Sequence, residues 1–208
     1  MASPLEKARL DRDSMKARIL NSARKLFGEY GYHGTTTRMI ATHVGIDIST
    51  LYYHWGEKRD LYDSVITDIN DEVQDKLLEI ENLISGKPIA ERIEIGIDNI
   101  CDYLFDNPEI SNLILFRYFS KTRDHDYSIE TKMPEYISNI AVSLGLASKK
   151  SDITVEAKAR VLAVWNAVLN FISGINVFQP ILDIEKEKYI QLVKETLNFI
   201  LIPAFSKN

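Results

Sequence analysis

The sequence has one cysteine, Cys101, so no disulfide can close within the chain, and the apolar run around that residue reads as core rather than as a redox or catalytic thiol. A reducing, cytoplasmic setting is expected. Glycine and proline are scarce, at 9 and 6 of 208 residues, which leaves few turns and favours helices. The longest apolar run, Phe199 to Phe205, falls far short of the roughly 18 residues of a membrane span, and no apolar leader follows the charged N-terminus, so no membrane partner is expected. Strand-like alternation, tandem repeats, a glycine-rich phosphate loop and a nucleophile elbow are all missing. His33, His43 and His54 lie far apart without neighbouring cysteines, which fits no usual zinc pattern. The expectation is therefore no enzyme, no metal and no cofactor.

Hydrophobic residues at 45% and charged residues at 26% have the balance of a soluble globular chain. The net charge of −5 is unevenly spread: +3 through Tyr62 and −8 beyond it, so a polyanion partner is admissible for the early part alone.

Apolar spacing of three and four residues predicts an all-α chain of about nine helices. Residues 1–12 alternate in charge without an apolar period and read as a flexible arm. Met15, Ile19, Ala23, Leu26 and Phe27 mark helix one, which Gly31 is placed to end. Thr36 suits the N-cap of a short second helix with Ile40, Ala41 and Val44 inside; Gly45 breaks it, and Asp47 is the expected cap of a third helix to about Trp55. The next stripe runs from Leu61 to Ile84. After a restart at Pro88 the next stripe runs from Ile93 to Leu104, and Asn107-Pro108 interrupts before Ile110 to Phe119. Pro134 sits just inside a helix closed by Gly145, and the last two helices are expected at Asp152 to Gly174 and Asp183 to Pro203.

Two short helices separated by so tight a turn have helix-turn-helix spacing. Ile40, Ala41, Val44, Gly45, Ile46 and Leu51 fill the packing and turn slots that such a pair needs. The polar residues left over suit a polyanion. A helix of about eight residues is about 12 Å long, a length that fits its N-terminal end into a major groove. Thr36 and Thr37 combine hydroxyls with a helix N-terminus, and Tyr52, Tyr53 and Lys58 add donors. Capping alone also accounts for Thr36. Tyr52 and Tyr53 are adjacent on a helix, so at least one must face solvent.

The run from Met15 to about Leu61, above all TTRMIATHVGIDISTLYYHWGEKRDL, resembles the DNA-binding domain of the TetR family of bacterial transcriptional regulators. The resemblance implies residues 1–58 as a DNA-binding domain and 59–208 as a helical effector-binding and dimerisation domain. It places Thr36, Thr37 and Lys58 on phosphate, Tyr52, Tyr53 and His54 on the DNA-facing side of the recognition helix, and Arg38, Ile48, Ser49 and Thr50 near base edges or sugars. Ile48 stands where a polar or basic residue is common, which makes Arg38 the best candidate for a guanine contact.

The resemblance further implies a homodimer through the last two helices, a double-stranded DNA operator as partner, and a small, largely apolar effector that releases a repressor. Tyr103, Phe116, Phe119, Trp165, Asn166 and Asn170 are the candidate effector lining, the two asparagines because buried amides need partners. Core packing explains the aromatics equally well. A helical adaptor that binds protein through its wide apolar faces is the rival class.

Overall fold

A computed structural model describes residues 3–119 and 128–205, with side chains for all of these except 128–133. Among the described residues there are eleven α-helices and no strand, so the chain is all-α. Two short helices account for the excess over nine. The first, α1 (Pro4–Leu10), replaces the expected flexible arm. Ser3 Oγ accepts from the Glu6 N–H and Glu6 Oε2 accepts from the Ser3 N–H, closing a capping box. Leu5 and Ala8 are buried, and Arg9 pairs with Asp68 at 2.7 Å and Asp71 at 3.1 Å. Of the alternating charges that read as a flexible arm, Arg9 is the partner of these two distant carboxylates. The second, α10 (Ile175–Leu182), follows α9 (Val155–Ser173) across a 76° bend.

The described chain packs as two units. One holds the chain up to Glu72 with a stretch that begins at Asn112; the other holds Val73–Ser111 with the C-terminal helices. In the first unit, Ser14 caps α2 (Met15–Gly34) by accepting from the Ala17 N–H. Gly31, at φ 69°, leaves the helical conformation as expected, but one further turn follows before the chain extends at Thr35. Thr35 is fully buried and its hydroxyl donates to the carbonyls of Leu26 and Gly31, both at 2.9 Å. Ile19, Ala23 and Phe27 of α2 form the floor on which α3 (Thr37–Val44) and α4 (Ile48–Trp55) rest through Ile40, Ala41 and Leu51. The helix α5 (Lys58–Ile84) adds Leu61, Val65 and Ile69.

In the second unit, α6 (Ile89–Asp106) is the central helix. Ile93, Ile97, Ile100, Cys101 and Leu104 are all buried on it, and α11 (Lys186–Phe205) lies along it through Tyr189, Val193 and Leu197. Lys194 of α11 is buried between Asp98 at 3.0 Å and Asp102 at 2.6 Å, which supplies the counter-charges that its burial demands. Burial pushes the Cys101 thiol up to about 12, where it is inert at neutral pH. The helix α8 (Ser128–Ser143) packs on α9, and α7 (Pro108–Phe119) is divided between the units at Asn112. Among the described residues no single helix is long and apolar enough to cross a membrane.

Candidate functional site

The turn between α3 and α4 is built locally. The Thr36 hydroxyl oxygen accepts from the Met39 N–H at 3.1 Å, and Gly45 takes a left-handed conformation (φ 81°) that ends α3. Asp47 stands at the N-cap of α4, but its side chain makes no capping bond, contrary to expectation. Its backbone carbonyl accepts from the Thr50 and Leu51 N–H groups instead, so the carboxylate is not consumed by the helix end.

Around this turn the candidate contact residues divide by exposure. Thr36, Arg38, Ser49, Tyr52 and Tyr53 are exposed, Tyr53 by 85% and Tyr52 by 47%. Thr37, Ile48, Thr50, His54 and Lys58 are half-buried. Arg38 makes no ion pair or hydrogen bond among the described residues, so its guanidinium is free to meet a partner. Lys58 is different. Its ammonium donates to the carbonyls of Tyr32 at 2.9 Å and Thr35 at 3.0 Å and lies 4.1 Å from the Tyr32 ring centroid, while burial lowers its pKa. It fastens the start of α5 to the end of α2 rather than reaching outward.

His54 is held from behind. The Lys16 ammonium donates to the His54 carbonyl at 2.8 Å and approaches Nδ1 at 3.3 Å, and the Trp55 indole N–H donates back to the Lys16 carbonyl. Burial first, and the Lys16 charge second, lower the His54 pKa below its ordinary 6.5. Arg18 donates to the last carbonyl of α3, at Val44, and Ser22 Oγ meets His43 Nδ1 at 2.8 Å. Three side chains of α2 thus lock the following helices, none of them legible as such in the sequence because each partner lies 21 to 38 residues away.

The second unit holds a cavity of about 130 Å³. Its walls are aliphatic: Leu77, Ile80 and Ile84 from α5, Ile93 and Ile97 from α6, Ile140 from α8, Val161 from α9. Arg92, Glu81, Gln74, Tyr136 and Trp165 are the main polar or aromatic members of the lining. The Trp165 indole N–H is buried and has no hydrogen-bond partner among the described residues.

A family model described as bacterial regulatory proteins of the tetR family matches residues 19–65, which span α2, α3, α4 and the first part of α5. Over residues 19–65, then, the chain is similar to the tetR family of bacterial regulatory proteins. Over 50 residues it is 44% identical to the uncharacterized HTH-type transcriptional regulator YezE of Bacillus subtilis, a match covering 24% of this chain and 26% of that protein. Over 52 residues it is 42% identical to IcaR of Staphylococcus aureus, the HTH-type negative transcriptional regulator of the biofilm operon icaADBC, covering 25% and 28%. The chain therefore spans only about a quarter of the length of the curated relatives it matches. Over the whole chain the likeness is one of fold: FadR of Bacillus subtilis, solved in complex with stearoyl-CoA, superposes with a TM-score of 0.59 at 15% identity, covering 89% of this chain and 96% of that one.

The cavity takes one of the six side chains expected to line an effector site, Trp165. On α9 Asn166 is half-buried and Asn170 exposed, and they donate to the carbonyls of Leu162 and Asn166 one turn back, both at 2.8 Å. The expectation of buried amides awaiting a partner is thereby corrected, since the helix backbone already supplies one. Phe116 lies in the first unit against Gly31, Phe119 is 78% exposed, and Tyr103 is half-buried on α6 away from the cavity lining. The expected lining was drawn from aromatics, whereas the observed one is mostly isoleucine, leucine and valine, which are indistinguishable by pattern from ordinary core.

Proposed function

We propose that the chain is a transcriptional regulator that binds a pseudo-palindromic DNA operator as a homodimer and is released from it, as a repressor, by a small, largely apolar effector. The observation that carries the reading is the α3–α4 pair, with Arg38, Tyr52 and Tyr53 exposed on it and their neighbours locked from behind by Lys16 and Arg18. Residues 1–58 serve as the reader and 59–208 as the effector and dimer region. Thr36, Thr37, Ser49, Thr50 and the tyrosines hold phosphates and sugars, Ile48 meets an apolar base edge, and Arg38 pairs with guanine. The protein works in the cytoplasm, by binding and not by catalysis.

A dimer is supported by apolar side chains left outside on the C-terminal helices: Val155 is 78% exposed, Phe199 80% and Ile200 56%. Two copies related by a two-fold axis would set their α4 helices on half-sites about 34 Å or a multiple apart. The negative regulation named for IcaR supports repression, and the acyl ligand of FadR supports an apolar effector. The effector acts through α5, whose later residues Leu77, Ile80 and Ile84 line the cavity and whose first residues follow α4.

Selection of bound fragments from a genomic library tests the reading. A palindrome should be recovered, and Arg38→Ala should weaken its binding by about 10- to 100-fold while relaxing one position of each half-site. Recovery of no common sequence sinks it and leaves the adaptor reading.

A further inference from the structure

We infer that the cavity of the second unit receives a small hydrophobic monoacid, with a hydrocarbon body of about six carbons among the aliphatic walls and a carboxylate, or an oxyanion of similar shape, at Arg92. The inference rests on the effector reading and gives the effector its chemistry. Size comes from the volume. A cavity of about 130 Å³ is close to the roughly 150 Å³ apolar cavity that takes up one benzene. Its walls of leucine, isoleucine and valine offer dispersion and no hydrogen bonds, which suits a saturated or aromatic body.

Charge comes from Arg92. This half-buried side chain lines the cavity, its Nε donating to the Lys87 carbonyl at 2.6 Å and its Nη1 to the Ser143 carbonyl at 3.4 Å. Both acceptors are neutral. They orient the guanidinium without cancelling its charge and leave about three of its five N–H donors unused. Among the described residues no carboxylate pairs with it; the nearby Glu91 is engaged by Lys87. A cation held beside an apolar cavity with no counter-charge favours an anion that brings its own hydrocarbon. Glu81 is the one acidic residue of the lining, and it is exposed. Its charge opposes a second negative group, which selects a monoanion over a polyphosphate-bearing ligand.

The test compares two probes of nearly one shape, cyclohexanecarboxylate and cyclohexanecarboxamide, titrated calorimetrically into the full chain in the absence of DNA. The carboxylate should bind at least about tenfold more tightly. Arg92→Met should remove that preference and leave the carboxamide within about threefold. Ile97→Phe, which fills the cavity, should abolish both. The inference is overturned if the unaltered protein shows no preference for the anion, if the preference survives Arg92→Met, or if neither probe binds at millimolar concentration. Should Arg92→Met fail to fold, the ratio in the unaltered protein and in Arg92→Lys, which keeps the charge and the preference, decides the matter. Anion-selective binding that leaves an operator complex intact sinks the regulatory reading and not this one. Release of operator by neutral ligands alone does the reverse.

Discussion

At the scale of the residue, His54 and Lys58 gain their meaning from partners distant in sequence. An ammonium can donate to His54 Nδ1 only if that nitrogen keeps its lone pair, so Nε2 carries the proton and is the donor left for an outside partner. His54 is held neutral in the fold and titrates with a higher pKa when unfolded. Its contribution is therefore present above about pH 6.5 and is lost as the pH falls below that value toward the folded pKa. Between about pH 7.5 and 5.5 the denaturation midpoint should fall more steeply for the unaltered protein than for His54→Gln; parallel declines would falsify this. Lys58→Ala strips a charged donor from two carbonyls and should lower stability by about 1–3 kcal/mol. Because the ammonium is occupied, the salt dependence of DNA binding should hardly change, whereas a phosphate contact would reduce its slope by about one. The exposure of Tyr53 followed from its place on a short helix beside Tyr52. The grip of Lys16 on His54 did not, since nothing local in the chain announces a bond across 38 positions.

Elements were legible where their ends are made by neighbouring residues. Ser14, Thr36 and Gly45 act on atoms a few positions away, so the start of α2 and both ends of α3 fall where the sequence puts them. Gly174 ends α9 as the sequence suggests, but α10 beyond it escaped notice, its eight residues being left between two expected helices. A Cβ built on Gly174 would lie 2.3 Å from the Phe178 ring and 2.8 Å from the Asn170 carbonyl oxygen, closer than any real contact. Gly174→Ala should therefore destabilise by about 1–3 kcal/mol, as overpacking does. Adding Phe178→Ala should recover part of the loss and no more, because the backbone contact remains. Full recovery in thermal denaturation would show that the ring alone sets the bend.

For the whole molecule, the exposed apolar residues of α9 and α11 are the feature a single chain leaves unexplained. Phe199→Glu should convert a dimer seen by sedimentation into monomers. Operator affinity should then fall by at least about tenfold at fixed concentration, since each monomer keeps one half-site only. An unchanged sedimentation coefficient would reject α11 as the interface. Effects of Phe199→Glu and Arg38→Ala should combine additively on half-site binding, the two lying in separate units.

The sequence by itself determined nine of the eleven described helices and the helix-turn-helix pair among them, because these depend on contacts within a turn or two of the chain. Tertiary structure alone decided which cations are spent on the scaffold, which aliphatic side chains stand back to form a cavity, and that Arg92 faces it without a counter-charge. Those outcomes depend on which faces meet, and a face of isoleucine packed solid looks the same in sequence as one that leaves room.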